Sequence, residues 1–256
     1  MINLNTKNWE IKNIETILFD KDGTLIDLHY FWGKMTELRA NEIVTKFKLS
    51  PDMFCKLCKF LGYDINSKKM LANGITALYS RSKIIEIFQS DLKQVGVNIS
   101  KLELEEIFDN INLKFDENLI NYVCPITEAI EFVKKIHSQN IKLGIVTSDS
   151  VKSTHLALKK MNLQNVFDSI KGRESSNYTK ESGVLTQLAL DELGANPKTT
   201  LMIGDAPMDY ISAKNANVDN VILVSTGQIA KKELIKTTPF VVNSLSELSI
   251  TSSCLM

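Results

Sequence analysis

The sequence predicts an α/β fold, a doubly wound parallel sheet interrupted by an inserted all-helical domain, and three observations predict it. Short apolar runs that end in polar or glycine-containing turns recur along the chain. Helix-period segments separate the later runs, and such strand-helix alternation is the pattern of parallel strands joined by crossover helices. From residue 28 to about 124 the alternation stops and only amphipathic stretches follow one another.

Taken in order, Ile14 to Asp20 (IETILFD) is a mostly apolar run that ends in a carboxylate and is soon followed by Gly23, which reads as a buried strand entering a turn. Lys142 to Thr147 (KLGIVT), Thr200 to Gly204 (TLMIG) and Val221 to Val224 (VILV) have the same form. Helical periods fall at about 126–139, 150–161, 181–193 and 207–216. Within the interruption, amphipathic stretches occupy 31–48, 51–61, 67–92 and 101–117, with no convincing strand. The expected organisation is therefore a Rossmann-like core from residues 1–27 and 125–256, with a helical cap domain at 28–124. The chain returns from the insertion at Cys124-Pro125, where a proline suits the first turn of the next helix. No repeat or loose linker divides the two parts.

Composition narrows the partners. At 44% apolar and 23% charged, 256 residues bury a real core and do not match a disordered chain. Thirty basic residues balance thirty acidic ones, so the chain as a whole has no electrostatic pull on nucleic acid or an anionic membrane. A small-molecule partner is expected. Asp20, Asp22 and Asp27 interrupt the first thirty residues, which read as neither a signal peptide nor a membrane span, and a cytoplasmic protein is expected. Cys55 and Cys58 form a C-x-x-C without a second pair or a nearby histidine, so two packed thiols on one helix face are expected rather than zinc. Cys254 lies one position too late for a prenylation box. Oligomeric state is not legible.

Ligands of a doubly wound sheet bind beyond the carboxyl ends of its strands. Asp20, Thr147 and Asp205 all stand at such ends, so three polar groups remote in sequence should converge on one crevice. Asp20 and Asp22 lie two apart around a strand end, which lets both point toward one site, and Gly23 permits the sharp turn. Each residue alone has an ordinary reading: turn formers for Asp20 and Asp22, a helix N-cap for Asp205, a first-turn acid for Asp209, a solvated lysine for Lys180. It is their order along the chain that argues for chemistry.

That order resembles the haloacid-dehalogenase-like hydrolase superfamily, in particular its phosphoglycolate phosphatase-like members with a helical cap. ILFDKDGTLID matches the D-x-D-G-T signature; Val146-Thr147-Ser148 supplies the strand-end hydroxyl; Lys180 is the third motif; Gly204-Asp205-Ala206-Pro207-Met208-Asp209 matches G-D-x-x-x-D. The resemblance spans about residues 14 to 245. One departure stands out: the third motif, often Lys-Pro, here reads Lys180-Glu181-Ser182-Gly183, which leaves Lys171 as a rival.

The resemblance implies a Mg²⁺-dependent phosphatase. Mg²⁺ would be held by the side chains of Asp20 and Asp205 and the backbone carbonyl of Asp22, with Asp209 in support. Asp20 would be the nucleophile that forms an aspartyl-phosphate, and Asp22 the general acid and then the general base. Thr147, the Ser148 backbone N–H and Lys180 would hold the phosphoryl oxygens. Asp22 also separates functions within the superfamily, because the dehalogenases generally lack that second aspartate, phosphonatases carry a small residue there and ion pumps a threonine. A phosphosugar mutase keeps both aspartates and stays open as the alternative; a non-catalytic binding protein would be expected to lose one of them. The particular phosphate ester is not legible. In the cap, His29, Tyr30, Phe31 and Trp32 are expected to pack at the hinge or core, and Arg39 and Arg81 to lie on a solvated surface rather than to bind a second anion.

Overall fold

Thr16, Ile17, Leu18 and Phe19 are all buried, which a strand achieves when both faces of its sheet are covered. In the computed structural model, which describes residues 1–252, this strand is central to a six-stranded parallel sheet. The order is Val241–Val242, Asn220–Val224, Thr200–Gly204, Thr16–Phe19, Lys142–Val146 and Ser169–Lys171. Thr16 pairs in register with Lys142 on one side and Thr200 on the other, so the three strand ends reach one level. No helix among the described residues is long and apolar enough to cross a membrane.

The chain divides into two compact units, one from Met1–Asp27 and Val123 onward, the other Leu28–Tyr122. In the first, helix Thr127–His137 turns Ala129, Ile130, Phe132, Val133 and Ile136 inward at the spacing a 3.6-residue period requires. Phe132 meets Phe19 edge to face at 6.4 Å. Helix Val184–Leu193 buries Leu185, Ala189 and Leu190 in a cluster with Leu18 and Met202. Each of these leucine, isoleucine, valine, methionine and phenylalanine side chains contributes about 1.5–3 kcal/mol on burial. The doubly wound parallel sheet is the one the sequence predicts, with helices at Val151–Lys160 and Pro207–Asn215 completing the alternation.

Sequence patterning missed a second sheet. Ile2–Asn5 pairs antiparallel with both Glu10–Ile14 and Ser249–Ser252. It also passed over Val241–Val242, a strand too short to show a period.

The second unit is built mainly from helices Leu28–Lys46, Asp52–Phe60, Arg81–Gln94 and Lys101–Glu117. Phe88, Phe108 and Phe115 are fully buried in it. It corrects the all-helical expectation. The stretch 67–92 is not one helix: Lys69–Met70 pairs with Tyr63–Asp64 as a small hairpin, and Gly74 precedes a short helix at Ile75–Leu78. Gly62 and Gly74 approach so closely that a Cβ on either would meet the other's backbone.

Other expectations for this unit change as well. Cys58 is buried while Cys55 is exposed, so only one of the two thiols is packed in the core; burial, with Glu37 and Cys55 adding to it, pushes Cys58 up to about 12. Cys254 lies outside the described residues. Arg39 is buried, not solvated: its Nη2 donates to Asn112 Oδ1 at 3.2 Å and its guanidinium lies over the Phe108 ring at 4.2 Å. Burial, reinforced by the like charge of Arg81, pushes Arg39 down to about 9. Arg81 is exposed and pairs with Asp109 at 2.7 Å. Phe31 packs edge to face on Phe115 at 5.0 Å, and His29 Nδ1 accepts from the Met70 amide at 3.1 Å.

Candidate active site

The predicted residues of the first unit are brought together by the strand ends. The Asp20 amide donates to the Ile203 carbonyl at 2.8 Å and the Thr147 amide to Lys171 at 2.9 Å, so neighbouring strands fix the backbone under both side chains. Asp20, Asp205 and Asp209 are buried, and each offers an oxygen within 4.8 Å of the others.

One lysine answers them. Lys180 is buried, with Nζ 2.5 Å from Asp20 Oδ1 and 2.6 Å from Asp209 Oδ1. Lys171, the rival, turns to Glu192 at 3.0 Å. Burial opposes the Lys180 charge, but Asp20 and Asp209 outweigh it and hold the ammonium above the usual lysine range.

Asp209 owes its place to the helix it begins. Pro207 occupies the first turn of Pro207–Asn215, where its missing N–H costs nothing. Asp209 Oδ2 accepts from the Ala206 amide at 3.0 Å and the Asp205 amide at 3.1 Å, so Asp209, not Asp205, caps this helix. Gly204 leaves room for that carboxylate, since a Cβ there would collide with it. With both Asp209 oxygens engaged, Asp20 and Asp205 are the carboxylates left to offer oxygen to a cation.

The electrostatics fit such a cation. Burial, with Asp209 and Asp22 adding to it against Lys180, raises Asp20 to about 7. Burial and the neighbouring Asp20 and Asp209 raise Asp205 well above the usual carboxylate range. Three buried carboxylates facing one ammonium carry an excess of negative charge, and hard oxygen donors are the ligands Mg²⁺ takes.

Thr147 is buried and its Oγ1 accepts from the Asp149 amide at 3.1 Å, which leaves the hydroxyl proton free to be donated elsewhere. Ser148 is exposed and its hydroxyl meets Met208 Sδ at 3.5 Å. Asp22 Oδ1 receives Lys21 Nζ at 2.7 Å. Burial raises Asp22 and Lys21 lowers it, with the raised direction prevailing. The second unit contains a cavity of about 390 Å³ lined by Lys34, Glu37, Leu38, Asn41, Phe54 and Tyr122, which includes none of these motif residues.

Sequence reasoning missed two further contributors. One is the pair Lys21 and Asp149. The other is Gly227, beyond the strand Asn220–Val224, where a Cβ would overlap the Asp205 carboxylate. Thr226 beside it donates to the Gly23 carbonyl at 2.5 Å, fixing the loop against the D-K-D-G turn. Gly227→Ala should therefore displace Asp205 and, if the carboxylates hold a divalent cation, weaken that binding by roughly the 10- to 100-fold typical of disturbed support around a metal site. Isothermal titration with Mg²⁺ checks this, and unchanged affinity would show that Gly227 does not hold Asp205 in place.

Strand-end carboxylates, a buried lysine and a helix-capping aspartate on a doubly wound sheet form a polar site that could take a cation and an anionic group. Residues 17–224 match the family model described as haloacid dehalogenase-like hydrolase, and the chain belongs to that family. Among curated proteins, the pyrophosphatase PpaX of Oceanobacillus iheyensis is 25% identical over 206 residues, 80% of this chain and 81% of its own. Among solved structures, one described as a predicted phosphoglycolate phosphatase from Haemophilus somnus superposes with a TM-score of 0.69 at 16% identity, covering 93% of this chain and 97% of its own. The β-phosphoglucomutase of Clostridium difficile gives a TM-score of 0.61 at 20% identity, with 91% and 92% covered. Both likenesses are likenesses of fold.

Proposed function

We propose that this chain is a Mg²⁺-dependent phosphatase that hydrolyses a small phosphate ester through an aspartyl-phosphate on Asp20. The observation that carries the reading is the buried Lys180 between Asp20 and Asp209, with Asp205 completing the carboxylate cluster. Asp20 and Asp205, with the Asp22 carbonyl by the family pattern, would hold Mg²⁺, which when bound supplies positive charge against the phosphoryl dianion.

The chain's own groups do the rest. Asp20 attacks phosphorus while Asp22 gives its proton to the leaving oxygen as the P–O bond breaks. Asp22 then takes a proton from the water that releases phosphate from Asp20. Lys180, the Thr147 hydroxyl and the Ser148 backbone N–H hold the phosphoryl oxygens. Engagement of Thr147 Oγ1 as an acceptor supports its role, because it leaves the hydroxyl proton for the phosphate.

Phosphate release from p-nitrophenyl phosphate and a panel of small metabolite phosphates, with Mg²⁺ and with chelator, tests the reading. Relatives named pyrophosphatases add inorganic pyrophosphate to the panel. Release that requires Mg²⁺ is the expected result. No release from any of them, with Mg²⁺ present, overturns hydrolysis and moves phosphoryl transfer to a second substrate ahead.

A further inference from the structure

Side chains alternate in direction along extended chain, so if Asp20 and Asp22 face the site, residue 21 faces the protein interior. An apolar residue is the ordinary occupant of such a place, since lysine is almost never fully buried unless paired. Yet Lys21 has no exposed surface. Its Nζ lies 2.7 Å from Asp22 Oδ1 and 2.9 Å from Asp149 Oδ2.

Both ends of this contact belong to loops that carry reacting groups. The Lys21 carbonyl accepts from the amides of Leu25 at 2.9 Å and Ile26 at 3.1 Å, so the turn bearing Asp22 is wound around residue 21. Asp149 donates its amide to Thr147 Oγ1, receives the Ser150 amide on Oδ1 at 2.7 Å, and offers its carbonyl to the Arg173 amide at 2.9 Å. Three separate bonds hold it still. Burial would raise Asp149, but the charge of Lys21 and the hydrogen bonds around it hold it below the usual carboxylate range.

We propose that Lys21 and Asp149 form a buried ionic cross-tie that positions Asp22 for its work at the leaving-group oxygen. Lys21 takes Oδ1, which leaves Oδ2 as the oxygen that carries the transferred proton. Asp149 anchors Lys21 and couples the Asp22 turn to the Thr147–Ser148 loop, so the proton donor and the phosphate-holding groups keep one spacing. The inference rests on the phosphatase reading above, which gives Asp22 a proton to deliver.

A buried ion pair that served only stability would predict something different, and leaving-group dependence separates the two. Phenyl phosphate and p-nitrophenyl phosphate have nearly the same shape, but phenolate needs protonation far more than p-nitrophenolate does. Lys21→Met should lower kcat/KM, which reports formation of the aspartyl-phosphate and not its later hydrolysis, by about 100-fold for phenyl phosphate, the lower range of what a positioned general acid contributes. The loss in kcat/KM with p-nitrophenyl phosphate should be at least tenfold smaller. Asp149→Asn should shift the ratio of the two rates in the same direction and, being close in shape, serves if Lys21→Met does not fold. In an Asp22→Asn background, Lys21→Met should cost no further activity on phenyl phosphate.

Parallel losses on both esters, or a further loss in the Asp22→Asn background, would overturn the cross-tie while leaving the phosphatase reading intact. Wild-type protein that hydrolyses neither ester would overturn both.

Discussion

Asp20→Asn should abolish phosphate release, with a loss on the order of 10⁴ to 10⁶ in kcat, as removal of a nucleophile does in enzymes whose residues act as a unit. The side chain keeps its shape and loses only the ability to attack. The fold should survive, because the Asp20 amide stays on the Ile203 carbonyl and the carboxylate's ion pair with Lys180 is one of two that this lysine makes. Lys180 keeps Asp209 at 2.6 Å as a partner. Burial raises Asp20 against the pull of Lys180, with Asp209 and Asp22 adding to the rise, so removing its charge relieves a cluster that is crowded without a cation. Thermal melting without Mg²⁺ should therefore show the variant at least as stable as the wild type. Retained activity in a folded Asp20→Asn protein would place the nucleophile elsewhere.

The parallel sheet was legible because its central strands are fully buried and read as continuous apolar runs, a signal that needs no knowledge of partners. The site was legible for a related reason: Asp20, Thr147 and Asp205 each follow such a run, so strand position alone predicts that they converge. What escaped depends on pairing between remote segments. Ile2–Asn5 owes its strand character to Ser249–Ser252 and Glu10–Ile14, and the INLN string by itself specifies little. The hairpin at Tyr63–Asp64 and Lys69–Met70 is below the length at which any period can be seen.

Lys21 and Arg39 show why charged residues mislead a linear reading. A linear reading gives Lys21 no place of its own and puts Arg39 on a solvated surface, since lysine and arginine are mostly exposed. Both are buried, Lys21 with two carboxylates and Arg39 against an aromatic ring and an amide. A signal for Lys21 existed, in its inward-facing position between two site aspartates, but the 128 residues separating it from Asp149 concealed what it was for. Gly227 offered no signal, because its requirement is the space taken by Asp205 rather than any turn.

Lys180→Met should combine a catalytic loss with an unfolding tendency. Removing one partner from a buried ionic group typically costs about 3–5 kcal/mol, because the charges left behind are neither solvated nor matched. At roughly 2–4 °C per kcal/mol for a chain approaching this size, melting should fall by roughly 6–20 °C in metal-free buffer. Mg²⁺ should restore part of that, since a divalent cation answers the same three carboxylates of Asp20, Asp205 and Asp209. It should not restore turnover, which is expected to stay down by about 10² to 10³, the usual loss for one preorganised donor to a developing oxyanion. Lys171→Met is the matched control. Its partner Glu192 is half exposed and the pair lies 3.0 Å apart, so stability should change by less than about 1 kcal/mol and activity hardly at all. If the two substitutions exchanged these outcomes, Lys171 would be the lysine of the site, and the contact of Lys180 with Asp20 would be structural alone.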